Sequence, residues 1–169
     1  MGAGRGSGWV VAVFLALTAC EGAVEPDANV EEQVAYIDAI VPHHQIALMR
    51  ADEALAKANR PGTRRVAERM KEDQAREIAR FRAIRQELAG SAETPPPMTP
   101  APIPAGAEFD RMFYQMMIPH HQGAIDQSTL AHGANVRAEL DSLAHHTIEE
   151  QRMEQQEFRD SLRIIFGVQ

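Results

Sequence analysis

Apolar residues recur at intervals of three and four along most of the chain, and no strand-like alternation persists. This spacing is typical of amphipathic helices, and the segments that carry it are rich in Ala, Glu, Arg, Gln and Leu, which favour helix. We therefore expect an all-α fold. The pattern predicts four helices, near residues 30–58, 63–89, 107–132 and 136–165.

Three interruptions divide the helical pattern. Residues 59–63, which include Pro61 and Gly62, and the weaker break at residues 133–135 each predict a turn between two helices. Residues 91–106 hold six of the ten prolines, which excludes a helix or a central strand and predicts a semi-extended linker. The expected organisation is one bundle domain over residues 30–169, with helical hairpins at 30–90 and 107–169.

The two hairpins repeat one unit at a constant spacing. Pro42-His43-His44-Gln45 recurs 77 positions later as Pro119-His120-His121-Gln122. The same spacing relates Tyr36 to Phe113, Gln74 to Gln151, Glu77 to Glu154, Phe81 to Phe158 and Gly90 to Gly167. A constant spacing without insertions indicates a duplicated hairpin. Because two packed hairpins bury apolar helix faces that a single hairpin would leave exposed, we expect an antiparallel four-helix bundle.

The N-terminus has the pattern of a lipoprotein signal peptide over residues 1–19. A lone Arg5 precedes an apolar run that is too short to span a bilayer, and Leu17-Thr18-Ala19-Cys20 follows as a lipobox. Acyl chains on Cys20 would anchor the mature chain to a membrane, with residues 20–29 as a tether. We expect the protein in the cell envelope, on the periplasmic or extracytoplasmic side. The alternative is a chance Cys in an ordinary secretory signal.

Composition excludes several functional classes. Cys20 is the only cysteine, so no intramolecular disulfide or thiolate metal site is expected. Removal of residues 1–19 changes the formal charge from −7 to −8, and the basic residues are interspersed with acidic ones, so nucleic acid is not an expected partner. The sequence has no glycine-rich phosphate loop, no Ser elbow and no Glu-x-x-His di-iron motif.

Each hairpin carries two adjacent histidines in its first helix, His43-His44 and His120-His121. Adjacent helical side chains point about 100° apart, so one ring of each pair can face the bundle interior. Pro42 and Pro119 predict a kink one turn before each pair. Folding each hairpin about its turn places Gln74 and Glu77 opposite the first pair, and Gln151, Met153 and Glu154 opposite the second. These histidines are either metal ligands or core residues hydrogen-bonded to the facing Gln and Glu side chains.

Methionines lie near both histidine pairs. Met117 precedes the second pair, Met153 is expected to approach it from the facing helix, and Met49 is expected to face Met70 beside the first pair. Thioether and imidazole ligands without thiolate suit Cu(I). The alternative is that the methionines simply fill the core. A further cluster of His132, His145 and His146 has no counterpart in the first hairpin, and a solvated surface cluster is the alternative to a site there.

The segment Phe109–Asp126, which contains Met117 and Pro119-His120-His121-Gln122, resembles the signature of the domain of unknown function 305 family. Glu149-Glu150-Gln151 with Glu154 resembles the family's second-helix motif. The first hairpin is similar through Tyr36, residues 42–45, Ala47 and residues 74–78. The resemblance implies a ferritin-like helical bundle, usually exported, in a family that includes copper-binding envelope proteins. His120, His121 and Met117 match its motif.

The chain departs from the family pattern at several thioether positions. The family commonly has Met shortly after the histidine pair, where this chain has Arg50 and Gln127, and late in the second helix, where it has Phe81 and Phe158. Ile40 stands where the second hairpin has Met117. Met49 and Met153 would then have to supply the thioethers.

The expected function is a non-enzymatic envelope lipoprotein that binds a metal ion, copper foremost, for sequestration or handover. The expected ligands are His120, His121, Met117, Met153, His43, His44 and Met49. Two other classes stay open: a structural or partner-binding bundle with core histidines, and a redox enzyme that uses a bound metal.

Overall fold

The computed structural model describes Met1, residues 29–133 and residues 136–168. These residues form four helices and no strand: α1 Val30–Lys57, α2 Pro61–Ala89, α3 Phe109–Ala131 and α4 Ala138–Phe166. Each helix begins and ends close to the range that the hydrophobic spacing predicts. The expected signal peptide, the lipidation site Cys20 and most of the tether lie outside the described residues. None of the four helices is both long enough and apolar enough to cross a membrane.

Neighbouring helices run antiparallel. The α1–α2 and α3–α4 hairpins pack through α1 against α3 and, less extensively, through α2 against α4. Tyr36 near the start of α1 contacts Ser128 near the end of α3, while His43 and His120 meet midway along both helices. The helices α1 and α3 therefore run in opposite directions. The expected all-α antiparallel four-helix bundle, built from two hairpins, is confirmed.

The ends of the helices follow local chemistry that the duplication preserves. Pro61 begins α2, where its missing N–H and fixed φ suit the first helical position. Gly90 and Gly167 end α2 and α4 with φ of 70° and 65°, a left-handed conformation that glycine adopts without a Cβ penalty. α1 and α3 each continue as one helix through Pro42 and Pro119.

The proline-rich linker is hydrogen-bonded to side chains of α1. Ile103 is buried in the core, and its N–H donates to Glu53 Oε1 at 2.7 Å. Arg50 Nη2 donates to the Ala101 carbonyl at 2.8 Å, and Lys57 Nζ donates to the Ile103 carbonyl at 3.0 Å. The linker has the irregular structure that its prolines predict, but side chains of α1 bind three of its main-chain groups, and the Ile103 side chain is part of the core.

Among the described residues, the core consists of two apolar clusters at opposite ends of the bundle. One contains the aromatic rings of α3 and α4 together with Met70, Met117 and a row of alanines on α1. The other contains the aliphatic residues around Ile37, Ile40 and Leu140 with Phe81. Between them, each helix contributes buried polar side chains. This arrangement interrupts an otherwise apolar core at mid-height.

Candidate metal centre

A layer of buried and half-buried polar residues crosses the middle of the bundle, and we call it the central polar layer. It consists of His43 and His44 on α1, Gln74 and Glu77 on α2, His120 and His121 on α3, and Gln151 and Glu154 on α4. Every member of the first hairpin has its counterpart 77 positions later in the second. The layer is therefore a product of the duplication, with a pseudo-twofold relation between its halves.

One histidine of each pair binds a glutamate of its own hairpin. His44 Nε2 lies 2.9 Å from Glu77 Oε2, and His121 Nε2 lies 2.7 Å from Glu154 Oε2. Both imidazole rings are fully buried. Because an ionised carboxylate can only accept, Nε2 carries the proton in the neutral ring and Nδ1 keeps its lone pair. The sequence prediction that these glutamates face the histidine pairs is confirmed.

The two glutamates differ in their second partner. Glu77 Oε1 also accepts a hydrogen bond of 2.7 Å from Thr147 Oγ1 on α4. Burial alone would raise the pKa of Glu77, but the hydrogen bonds from His44 and Thr147 outweigh burial and hold this pKa below its usual value. The counterpart of Thr147 in the first hairpin is Met70, which has no hydroxyl. Glu77 is thus the more firmly held carboxylate.

The other histidine of each pair meets its counterpart across the interface between the hairpins. The rings of His43 and His120 have centroids 3.9 Å apart and planes inclined at 35°. Gly123 lies against this pair, since a Cβ there would be 3.0 Å from His43 Nε2. The corresponding residue of the first hairpin is Ile46. The missing side chain at position 123 makes room for the stacked rings.

Burial keeps both stacked rings neutral. It lowers the pKa of His43 to about 4, with further lowering by His44 and His121. It lowers the pKa of His120 to about 2, where the next largest cause is the neighbouring His43. A main-chain interaction between the two residues opposes these shifts without reversing them. Neutral imidazole is the form that binds metal ions.

Several buried polar atoms of the layer have no hydrogen-bond partner of normal geometry among the described residues. These atoms are Nδ1 of His43, His44, His120 and His121, Nε2 of His120, both amide atoms of Gln74 and Oε1 of Gln151. An unpaired buried polar group is costly, so a concentration of them marks a site that can bind something. In the described part of the chain, however, no three His, Cys, Asp or Glu side chains converge as metal ligands.

The methionines divide between the core and the surface. Met117 and Met70 are buried in the apolar cluster beside the central polar layer, with 1% and 0% exposure. Met49 and Met153, the expected thioether ligands, are 37% and 57% exposed. The inward positions of α4 include Gln151, and Met153 lies two residues further on, about 200° around the helix. The structure therefore does not place Met49 or Met153 in the layer.

Aromatic rings occupy the positions where family members commonly have Met. The Phe158 ring packs edge-on against His121 with centroids 4.9 Å apart, and Phe81 packs edge-on against His44 at 6.1 Å. These rings shield the two histidine–glutamate pairs on their apolar side. They supply no ligand.

Sequence reasoning missed two features of the site, Thr147 and Gly123. Thr147 is buried on α4, and it was not found because its counterpart in the first hairpin is the different residue Met70. The role of Gly123 could have been inferred, because it is a glycine within a helical pattern at a position where the first hairpin has Ile46.

Of the further histidine cluster, the structure brings His132 and His145 together, with ring centroids 5.0 Å apart.

His146 has a different setting from His145. It lines a polar surface pocket between α2 and α4, together with Glu77, Asp73 and Glu150. Of the three candidate histidines, His132 and His145 therefore form a pair, and the His146 ring lies apart from them.

Solved structures similar to this chain include copper-bound proteins. CopM in its Cu(I)-bound form has a TM-score of 0.68 and 30% identity, and the alignment covers 78% of this chain and 95% of that chain. CopM in its apo form has a TM-score of 0.66 and 29% identity, with 78% and 96% covered. A DUF305 fragment from Deinococcus radiodurans, at 22% identity and a TM-score of 0.64, covers 81% of this chain and 97% of its own and supports the fold alone.

The sequence comparisons point to the same group. No match was found among curated proteins. The family model described as domain of unknown function (DUF305) matches residues 16–85 and residues 94–162, one match for each hairpin. Since these two matches cover most of the sequence and agree with the observed duplication, the chain belongs to the DUF305 family.

Proposed function

We propose that this protein is an exported lipoprotein, without catalytic activity, that binds a copper ion in the central polar layer and sequesters it or hands it over. The observation that carries the proposal is the stacked pair of His43 and His120. These neutral, half-buried rings come from both hairpins, and His43 Nδ1 and both ring nitrogens of His120 lack hydrogen bonds of normal geometry among the described residues.

The purely structural alternative explains only half of the layer. Core hydrogen bonding accounts for His44 and His121, each of which has a glutamate partner. It does not account for His43 Nδ1 or for the two ring nitrogens of His120, because burying a polar atom without a hydrogen-bond partner of normal geometry costs free energy that an apolar side chain would avoid. A metal ligand, in contrast, needs a neutral ring with an unshared lone pair.

The donor set fits a soft metal ion. The chain offers imidazole nitrogens and buried thioethers with no cysteine in the described residues, and this combination suits Cu(I). The glutamates that bind His44 and His121 would orient those rings, as carboxylates beside metal-binding histidines commonly do. The structures of CopM with Cu(I) and with Ag support the same choice of ion.

The second hairpin offers the better ligands. Met117 is buried one turn before His120 and His121, whereas the first hairpin has Ile40 at that position. The ion would be held by His120 and His121 with Met117, joined by the first hairpin through His43. Because the His43 and His120 rings are stacked, binding requires these two rings to separate.

The envelope location rests on the sequence of the N-terminus. Arg5, the short apolar run and the lipobox ending at Cys20 are the features of a lipoprotein signal peptide. A lipid anchor on Cys20 would hold the bundle at a membrane surface, where an exported copper-binding protein meets the ion. Metabolic labelling with a radioactive fatty acid tests this part: label in the wild type and none in Cys20→Ser is expected, and no label in either contradicts it.

The binding proposal is tested by anaerobic titration of the purified protein with Cu(I) against a competing chelator. The double variant His43→Ala, His120→Ala removes the stacked pair, and among the described residues His43 Nδ1 and both ring nitrogens of His120 have no hydrogen-bond partner of normal geometry that would be left unpaired. The matched control is His132→Ala, His145→Ala, which removes a histidine pair of the surface. We expect tight binding by the wild type and the control, and weak binding by the central variant. Equal binding by all three proteins, or by none, contradicts the proposal.

A further inference from the structure

A second pair of histidines stands at the tip of the second hairpin, far from the central polar layer. His132 is the C-cap residue of α3, where its N–H donates to the Ser128 carbonyl, and His145 lies on α4. Their ring centroids are 5.0 Å apart and the ring planes are inclined at 36°. Both residues are exposed. Two imidazoles at this separation belong to one local site.

A carboxylate fixes the orientation of the first ring. Asp141 Oδ1 lies 2.8 Å from His132 Nδ1 and also accepts the Gly133 N–H at 2.7 Å. The main-chain contact holds the carboxylate in place, and the carboxylate in turn holds the imidazole. In the neutral ring, Nδ1 is then the protonated nitrogen, and Nε2 keeps the lone pair on the opposite edge. A carboxylate that binds the distal N–H of a histidine is the usual outer partner of a metal-binding imidazole.

We propose that His132 and His145 bind a divalent transition-metal ion of borderline softness, with Zn²⁺ as the representative, and that Asp141 is the residue that positions His132. Imidazole suits such ions, and water completes the coordination of an exposed site. This two-histidine site is separate from the central polar layer and does not rest on copper binding there.

Two further observations favour a cation at this place. The C-terminus of α3, at Ala131, carries the partial negative charge of a helix end, which attracts cations. The site is also specific to the second hairpin, because the positions equivalent to His132, Asp141 and His145 are Leu55, Arg64 and Glu68. The packing of a duplicated hairpin therefore does not require these three residues.

The test is calorimetric titration of the purified protein with Zn²⁺ at neutral pH. His132→Ala and His145→Ala each remove one ligand, and His146→Ala is the matched control, since it removes an adjacent exposed histidine that lines a different pocket. We expect one Zn²⁺ per chain in the wild type and in His146→Ala, and loss of that binding in the other two. Binding that survives either ligand substitution, or no binding by the wild type, overturns the proposal.

The positioning role of Asp141 has its own readout. Asp141→Asn keeps the shape of the side chain but removes the charge that orients His132. It should weaken Zn²⁺ binding about 10- to 100-fold, as loss of an outer-shell partner typically does. Unchanged affinity overturns the role of Asp141 while leaving the two ligands in place. The variant His43→Ala, His120→Ala should bind Zn²⁺ at this site as the wild type does, so a failure of the central copper site and a failure of this surface site are distinguishable.

Discussion

His43 and His120 occupy the same position in the two hairpins, and their rings stack on each other with centroids 3.9 Å apart. A contact between equivalent residues lies on the pseudo-twofold axis that relates the hairpins. The duplication thus places two neutral imidazoles at one point of the interface, where a single hairpin would place one. A metal ion bound there would draw ligands from both halves of the chain.

The neutral state of this pair predicts a loss of stability in acid. The unfolded chain protonates both histidines near pH 6.5, whereas in the folded protein the pKa of His43 is lowered to about 4 and that of His120 to about 2. The unfolded state then binds more protons, so the free energy of unfolding falls as the pH falls below 6.5. The slope should be about 1.4 kcal/mol per pH unit for each histidine.

Urea denaturation of the metal-free protein at a series of pH values measures this slope. The double variant His43→Gln, His120→Gln, which lacks both titrating rings, should show a much flatter dependence between pH 6.5 and pH 4. Parallel curves for the two proteins would show that the stacked histidines do not titrate as their burial requires.

The two histidine–glutamate pairs should differ in their contribution to stability. Glu77 is 5% exposed and also binds Thr147, whereas Glu154 is 14% exposed. Glu77→Ala should lower the free energy of unfolding by about 3 kcal/mol, because His44 would be left buried without its partner. Glu154→Ala should cost less, since water can reach His121 Nε2 more easily. Chemical denaturation of both variants measures these two losses. An equal or larger loss of unfolding free energy in Glu154→Ala contradicts the predicted difference between the two pairs.

Local spacing was sufficient to predict the helices and the facing residues. The turn near residue 60 puts His44 and Glu77 at the same height in the first hairpin, and the turn near residue 137 does the same for His121 and Glu154. Such contacts depend only on helix rise and turn position, which the sequence carries. Because the two hairpins share one constant spacing, the same prediction applies to His44 with Glu77 and to His121 with Glu154.

Contacts that depend on angle or on docking were not predictable. Height along a helix placed Met153 opposite the second histidine pair, but its direction around α4 leaves it 57% exposed. The stacking of His43 on His120 depends on how the hairpins dock, which no local pattern specifies. Asp141 was missed beside His132 because a single aspartate in the first turn of a helix is ordinarily a solvated residue.

Gly123 should resist substitution because of its contact with His43. A glycine within a helix usually lowers the free energy of unfolding by about 0.5–1 kcal/mol relative to alanine. Gly62 follows this rule, since a Cβ there meets only Arg65 Nη2 at 3.9 Å, so Gly62→Ala should be neutral or stabilising. In Gly123→Ala the new Cβ lies 3.0 Å from His43 Nε2, and His120 stacks on that ring. Thermal unfolding should show that Gly123→Ala is less stable than Gly62→Ala. An equal rise in the melting temperature of both variants would mean that the His43 and His120 rings move aside at no cost, which would contradict this prediction.

Restoring a thioether should strengthen copper binding. Phe158 packs edge-on against His121 at 4.9 Å, so Phe158→Met brings a sulfur beside that ring. One added soft ligand should raise the Cu(I) affinity about tenfold, which corresponds to about 1.4 kcal/mol. Phe113→Met is the control, because Phe113 contacts Phe158 at 6.4 Å and belongs to the same buried cluster. If competition titrations give the same affinity for both variants, position 158 does not border the copper site.

The most direct measurement is an anomalous difference map from crystals of this protein grown with Cu(I) under anaerobic conditions. A copper peak within bonding distance of the imidazole nitrogens of His43 or His120 is the result that the account predicts, with the two rings separated from their stacked position. A peak confined to exposed methionines such as Met49 and Met153, with the His43 and His120 rings still stacked, would contradict it.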